Sequence, residues 1–211
     1  MANAIFMQGV TYSYPSSPIL SFPDMDCRQG EHYLMSGVSG CGKTTLLYLL
    51  AGLIKPDTGK ILIQGEDITS MGNKDIDRIR GRKIGLVFQK PQFIQSLSVL
   101  ENLQIARYLN DIPAEKDELL ALLERLNIGD KQKSRPWELS QGEQQRLSIA
   151  RAIINRPALI LADEPTSSLD DENCREAVSL LKSQAESTGA CLLVVTHDHR
   201  LHPFFSHIIK L

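Results

Sequence analysis

Gly37, Val38, Ser39, Gly40, Cys41, Gly42, Lys43 and Thr44 satisfy the phosphate-loop spacing G-x-x-x-x-G-K-[ST] without a mismatch. A glycine-rich turn between a strand and a helix aims successive backbone N–H groups, and the positive end of the helix, at bound phosphate. Lys43 is placed to reach the β- and γ-phosphates, and the Thr44 hydroxyl to ligate Mg²⁺. The bland alternative is a Gly/Ser-rich turn with a stray lysine. At average glycine usage the full pattern arises by chance in roughly three windows per hundred thousand. The spacing points to a nucleoside triphosphate.

A second set of chemical residues lies far downstream. In Leu159-Ile-Leu-Ala-Asp163-Glu164-Pro165 two carboxylates follow an apolar run, and the crevice beyond the carboxyl ends of parallel strands is where ligands bind. Asp163 suits the Mg²⁺ that bridges phosphates. Glu164, pointing the other way on an extended backbone, suits the base that polarises an attacking water. His197 and Gln89 each end another apolar run. The first is a γ-phosphate sensor or a polar loop residue; the second ligates metal or water, or does neither. Ser140-Gln-Gly-Glu143 is locally a capping box, with Ser140 capping a helix and Glu143 reaching back to the cap N–H. A helix opening with Ser and Gly is also an anion site.

These residues need elements to hold them. Before the phosphate loop stands the apolar run His32–Met35, and after it the helix-like run Thr45–Ala51. The first third of the chain reads as β-rich, with strands in 5–14 and 59–65, and Lys83–Gln89 reads as a buried strand. From Val99 to Leu126 apolar residues recur at helical spacing. Helices at Gly142–Ile154 and Glu172–Ser187 then alternate with the apolar strands Ala158–Ala162 and Ala190–Val195, the kind buried on both faces of a parallel sheet. The expectation is one α/β domain over 1–211. Its core would comprise residues 1–89 and 146–211, with a helical insertion at 90–145.

With 211 residues, 42% of them hydrophobic, the chain can bury one substantial core. A net charge of −2 gives no global drive toward nucleic acid or an anionic membrane. No apolar run approaches the ~20 residues of a membrane span, and the amino terminus lacks a secretory pattern. Cys27, Cys41, Cys174 and Cys191 are scattered and without metal-ligand spacing, which fits a cytosolic protein with reduced thiols. Cys41 is either an oxidation-sensitive thiol or a small residue filling its turn.

Read in order, the segments resemble the nucleotide-binding subunits of ATP-binding-cassette (ABC) transporters over nearly the whole chain. Gly37–Thr44 matches Walker A, Gln89 the Q-loop, Leu139-Ser-Gln-Gly-Glu143 the signature, Ile160–Glu164 Walker B, Ser168-Leu-Asp170 the D-loop and His197 the switch histidine. The resemblance implies a P-loop NTPase core with a mostly parallel sheet, an N-terminal antiparallel β subdomain and an inserted α-helical subdomain ending in the signature. It implies ATP and Mg²⁺ as ligands, with Thr45 beside the nucleotide and Tyr14, or else Tyr12, stacked on adenine. It assigns Thr44, Gln89 and Asp163 to the metal, Glu164 to the general base and His197 to the γ-phosphate.

It also implies partners. A head-to-tail dimer, with a second copy or a paralogue, would join each Walker A to the partner's Ser140 and Gly142, with Asp170 coupling the two sites. A separate membrane permease would engage the insertion near residues 90–110, holding the chain at the inner face of the cell membrane. The common signature is Leu-Ser-Gly-Gly-Gln/Glu; here Gln141 replaces the first glycine while Ser140 and Gly142 are kept. The segments 93–102 and 135–146 look most like the compact ATPases of the lipoprotein-release, macrolide-export and cell-division group, although Gln95 stands where many of those have proline. The chain ends soon after His197, so no C-terminal regulatory domain is expected. The alternatives are the same ATPase serving a solute importer, and a non-transport ABC ATPase acting on DNA or the ribosome. The last lacks its usual coiled coils, zinc modules or basic stripe.

Overall fold

Within residues 3–167 and 169–211, which the computed structural model describes, two sheets of opposite character form. In chain order the elements are β1 (Asn3–Tyr12), β2 (Leu20–Ser21), β3 (Met25–Arg28), β4 (His32–Ser36), α1 (Lys43–Leu50), β5 (Thr58–Ile63), β6 (Glu66–Asp67) and α2 (Asn73–Lys83). There follow β7 (Ile84–Val87), α3 (Val99–Tyr108), α4 (Lys116–Arg125), α5 (Gln141–Ile153), β8 (Leu159–Asp163), α6 (Asp171–Thr188), β9 (Cys191–Thr196) and β10 (His207–Lys210). β1 pairs antiparallel with β2, β3 and β5, and β5 with β6. The second sheet runs β10-β4-β9-β8-β7 with every pairing parallel. The antiparallel N-terminal unit and the parallel core match the expected fold.

Both faces of the parallel sheet are covered at its central strands β8 and β9, which explains their apolar runs. Leu34, Ile160, Ala162, Leu192 and Val194 point to one face, into a core shared with α3, α4, α5 and α6. Their alternating neighbours Met35, Leu159, Leu161, Leu193 and Val195 point to the other, against α1, β1 and β5. Truncating a fully buried position such as Leu161 to Ala would cost about 2–5 kcal/mol. That packing holds the strands in fixed register. Ser36 pairs beside Thr196, Val195 beside Asp163, and Ala162 beside Val87. The carboxyl ends of β4, β9, β8 and β7 therefore emerge on one edge.

The stretch 99–126, where helical spacing was expected, comprises two helices. Between α3 and α4 the chain turns through Asp111, at φ 54°, and Pro113. Proline lacks the N–H a continuing helix needs and pushes the preceding residue out of the α region. α3 opens on a capping box, Ser98 with Glu101. α5 crosses residue 145 unbroken, linking the insertion to the core.

Candidate active site

Between β4 and α1 the phosphate loop turns through Gly42, which caps α1 at φ 99°. A side chain there would be strained, and its Cβ would press to 3.3 Å from Leu20 and Phe22. At Gly37 a Cβ would come within 2.7 Å of Cys41 Sγ and 2.8 Å of the Leu211 carbonyl. Cys41 thus packs into the turn, the duller of its two expected roles. Val38, Ser39 and Gly40 form an exposed crest. The buried Lys43 sends Nζ back to the carbonyls of Gly37 and Val38, 2.9 Å from each. Thr44 is exposed at the start of α1. Behind it, Thr45 Oγ1 lies 3.2 Å from the Tyr14 hydroxyl. Tyr14, 42% exposed, meets Tyr12 edge to face at 4.9 Å. The residue expected to carry adenine is therefore tied to the helix that carries the loop.

Across the same edge, Asp163 closes β8 and is only 4% exposed. Burial pushes its carboxyl above the ordinary range, against a pull from the Thr44 hydroxyl bonded to it; adjacent Glu164 adds to the rise and Lys43 opposes it. Its Oδ1 is buried without a hydrogen-bond partner among the described residues. An uncompensated buried carboxylate oxygen beside a threonine hydroxyl is the donor set a hard divalent cation takes.

Glu164 is not on an extended backbone, as its position after a strand suggested. It sits at φ 46°, in the left-handed region, with its N–H donating to the Val195 carbonyl at 2.8 Å. That turn brings its carboxylate over β9. Thr196 Oγ1 donates to Oε2 at 2.7 Å, and the His197 N–H donates to Oε1 at 3.1 Å. His197 Nδ1 lies 2.6 Å from Oε1 and carries the proton, since a carboxylate only accepts. A carboxylate has about four acceptor positions, so one remains beyond these three donors. Non-glycine residues at positive φ cost of order 1 kcal/mol and cluster at functional sites. Thr196 escaped notice in the sequence because only His197 stood out in Val194–Asp198.

The other expected residues stand on separate segments, and no hydrogen bond among the described residues ties Ser140 to the phosphate loop or to Glu164. β7 ends at Val87, so Gln89 lies two residues beyond its strand, exposed, with Nε2 donating to Ser167 Oγ at 3.3 Å. Asp170 caps α6, accepting from the Asn173 N–H at 2.9 Å; that bond, ahead of other causes, holds its carboxyl below the ordinary range. Ser168 of the same motif lies outside the described residues. Ser140 caps α5 as expected: the Glu143 N–H donates to Ser140 Oγ at 3.3 Å and the Ser140 N–H to Glu143 Oε2 at 2.7 Å. Space around Gly142 is open, with nothing within 4 Å of where a Cβ would stand. Buried Cys27 is pushed up to about 12 by burial, with Asp26 and Glu31 adding to it, and Cys191 is raised for the same leading reason. Those thiols are chemically quiet.

The ABC transporter family profile matches residues 20–167. The chain belongs to the ABC transporter family. It is an ABC ATPase, and its relatives include both compact subunits and longer proteins. The lipoprotein-releasing system ATP-binding protein LolD of Bacteroides fragilis is 38% identical over 199 residues, spanning 93% of this chain and 92% of the relative. The macrolide export ATP-binding/permease protein MacB of Paracoccus denitrificans is 35% identical over 206 residues, 95% of this chain but 31% of that longer protein. Among solved structures, a dimeric bacterial ABC transporter cassette superposes with a TM-score of 0.87 at 32% identity, covering 98% of this chain and 94% of that one. The same cassette in a dimeric post-hydrolysis state with ADP and Pi matches equally well.

Proposed function

We propose that this ABC ATPase binds ATP between Tyr14 and the phosphate loop and uses Glu164 as the general base for its hydrolysis. The observation that carries this reading is Glu164 itself. A buried carboxylate, turned by a left-handed backbone and oriented by Thr196 and His197, keeps one acceptor position for a water. Lys43 exchanges its loop carbonyls for phosphate oxygens, and the loop N–H groups take the rest of the phosphate charge. Asp163 and Thr44 hold Mg²⁺, with Gln89 as a further ligand. When bound, Mg²⁺ neutralises charge on the β- and γ-phosphates. His197 orients Glu164 through Nδ1 and turns Nε2 toward the γ-phosphate.

Ser140, Gly142 and Asp170 act across a head-to-tail dimer, completing the nucleotide site of a second copy or a paralogue. Support comes from the self-capped, open amino end of α5, and from the dimeric cassettes this chain resembles. A permease subunit is the membrane partner, holding the ATPase on the inner face of the cell membrane. No helix among the described residues is long and apolar enough to cross a membrane itself. A groove of about 250 Å³ opens beside the insertion, its lining mixing Leu86, Phe88 and Leu109 with Arg80, Asn110 and Arg151. Leu109 of that lining and its chain neighbour Tyr108 are 71% and 74% exposed and suit the apolar face of a permease segment. The likeness to LolD and MacB supports lipoprotein release or export over import as the work it drives.

Glu164→Gln keeps the shape and the acceptor oxygen but removes the base. The variant binds ATP, accumulates as an ATP-bound dimer and loses turnover by about a thousandfold. Wild-type turnover in the variant rejects Glu164 as the base.

A further inference from the structure

Between the segment that follows β9 and the segment that follows β8 lies a side chain with no part in phosphate binding or water activation. Arg200 Nε donates to both carboxylate oxygens of Asp198 at 3.0 Å, and Nη2 to Asp198 Oδ2 at 2.7 Å. Nη1 donates to Asp171 Oδ1 at 2.6 Å, and both terminal nitrogens reach the Leu169 carbonyl at 3.3 Å. One planar guanidinium thus spans two carboxylates and a backbone carbonyl on separate segments. A lysine ammonium, as a point donor, cannot match that fork.

Each end of the bridge is itself anchored. Asp198 follows His197, accepts from Thr166 Oγ1 at 3.3 Å, and gives its N–H to Thr196 Oγ1 at 2.9 Å. Thr196 in turn donates to Glu164. On the far side, Leu169 and Asp171 flank Asp170, the residue turned toward the partner subunit in the dimer proposed above. A continuous set of hydrogen bonds therefore runs from the Glu164 carboxylate through Thr196, Asp198 and Arg200 to both neighbours of Asp170.

We propose that Arg200 is a positioning residue that clamps the Asp170 segment to the His197 segment, fixing the interface of one subunit relative to its own water-activating carboxylate. The inference rests on the head-to-tail dimer of the preceding section. The side chain of Arg200 is 39% exposed, and exposed ion pairs contribute little to global stability. The clamp therefore acts on geometry, and its removal shows in turnover and dimer assembly well before it shows in melting temperature.

The test uses the full chain carrying Arg200→Ala or Arg200→Lys, each also in the Glu164→Gln background. Nucleotide affinity is read with a fluorescent ATP analogue, dimerisation in ATP by sedimentation, and KM and kcat by steady-state hydrolysis. Arg200→Ala lowers kcat about tenfold while leaving KM within about twofold. In the Glu164→Gln background it weakens the ATP-dependent dimer about tenfold. Arg200→Lys restores only part of both losses, because one ammonium cannot serve Asp198 and Asp171 together. Asp171→Asn reproduces a fraction of the alanine effect. Unchanged kcat and unchanged dimerisation in Arg200→Ala overturn the clamp, as does a loss of both that merely tracks a fallen melting temperature. Full rescue by lysine also overturns it. If Glu164→Gln alone stays monomeric in ATP, the dimer reading fails whatever Arg200 does. If Glu164→Gln dimerises equally well with and without Arg200, the clamp alone fails.

Discussion

The carboxyl ends of β8 and β9 and the amino end of α5 both crowd polar groups together, yet they satisfy them in opposite ways. At the strand ends the partners are distant in sequence: Glu164 is held by Thr196 and His197, and Lys43 and Asp163 are buried. Among the described residues, Asp163 Oδ1 there has no hydrogen-bond partner. At the start of α5, Ser140 and Glu143 satisfy each other within one turn, both accessible to solvent. The first region is assembled by the tertiary fold and keeps a buried carboxylate oxygen unpaired among the described residues. The second is complete by itself, so any further work it does depends on something brought to it from outside the chain.

The sharpest way to break that contrast is at Asp163. Burial holds its carboxyl above the ordinary range, so without nucleotide its ionisation costs stability as pH rises through that raised value. Asp163→Asn removes the cost. Near neutral pH the nucleotide-free variant melts above the parent. Hydrolysis falls by about a hundredfold or more, and the extra stabilisation that Mg²⁺ adds to ATP disappears. A variant that melts lower and keeps its Mg²⁺ response would show Asp163 to be a structural hydrogen-bonding group instead.

Ser140 probes the other region. Ser140→Ala removes the cap and costs about 1 kcal/mol, which by itself says nothing of a partner. Ser140→Asp is the informative change, because aspartate caps as well as serine and suits the positive helix end. Its melting temperature should match that of the parent, while a carboxylate set where partner-bound phosphate is expected weakens the ATP-dependent dimer of the Glu164→Gln background by about tenfold. Parent-like dimerisation would confine Ser140 to capping.

The same contrast governs what the sequence disclosed. The phosphate loop, the capping box at Ser140 and the apolar strands β8 and β9 are local patterns, and each stands where its pattern put it. α2 went unread because it is strongly polar, and only Ile76 and Ile79 are buried on it. β10 is a short edge strand with one partner and little burial, so its alternation is faint. Helical spacing across 99–126 is the same for one helix or two, and the turn through Asp111 and Pro113 divides it. Glu164 illustrates the deeper limit. Its identity was legible, whereas its left-handed backbone and its bonds to Thr196 and His197 come from the register of β8 against β9, which no window around residue 164 contains.

Tyr14 sits between the two cases and should give the smallest effect. Its ring is local to the turn after β1, but its hydroxyl reaches Thr45, on the helix that begins at the phosphate loop. If the ring face carries adenine, Tyr14→Ala weakens ATP binding about threefold to tenfold, while Tyr14→Phe, which keeps the face and loses only the hydroxyl, changes it by less than about twofold. The same pair measured with a triphosphate lacking an aromatic base should show no difference. If instead phenylalanine and alanine weaken binding equally, and do so without a base present, the hydroxyl is the part that matters. Tyr14 then supports the phosphate loop through Thr45, and the adenine platform must be sought elsewhere on the antiparallel sheet.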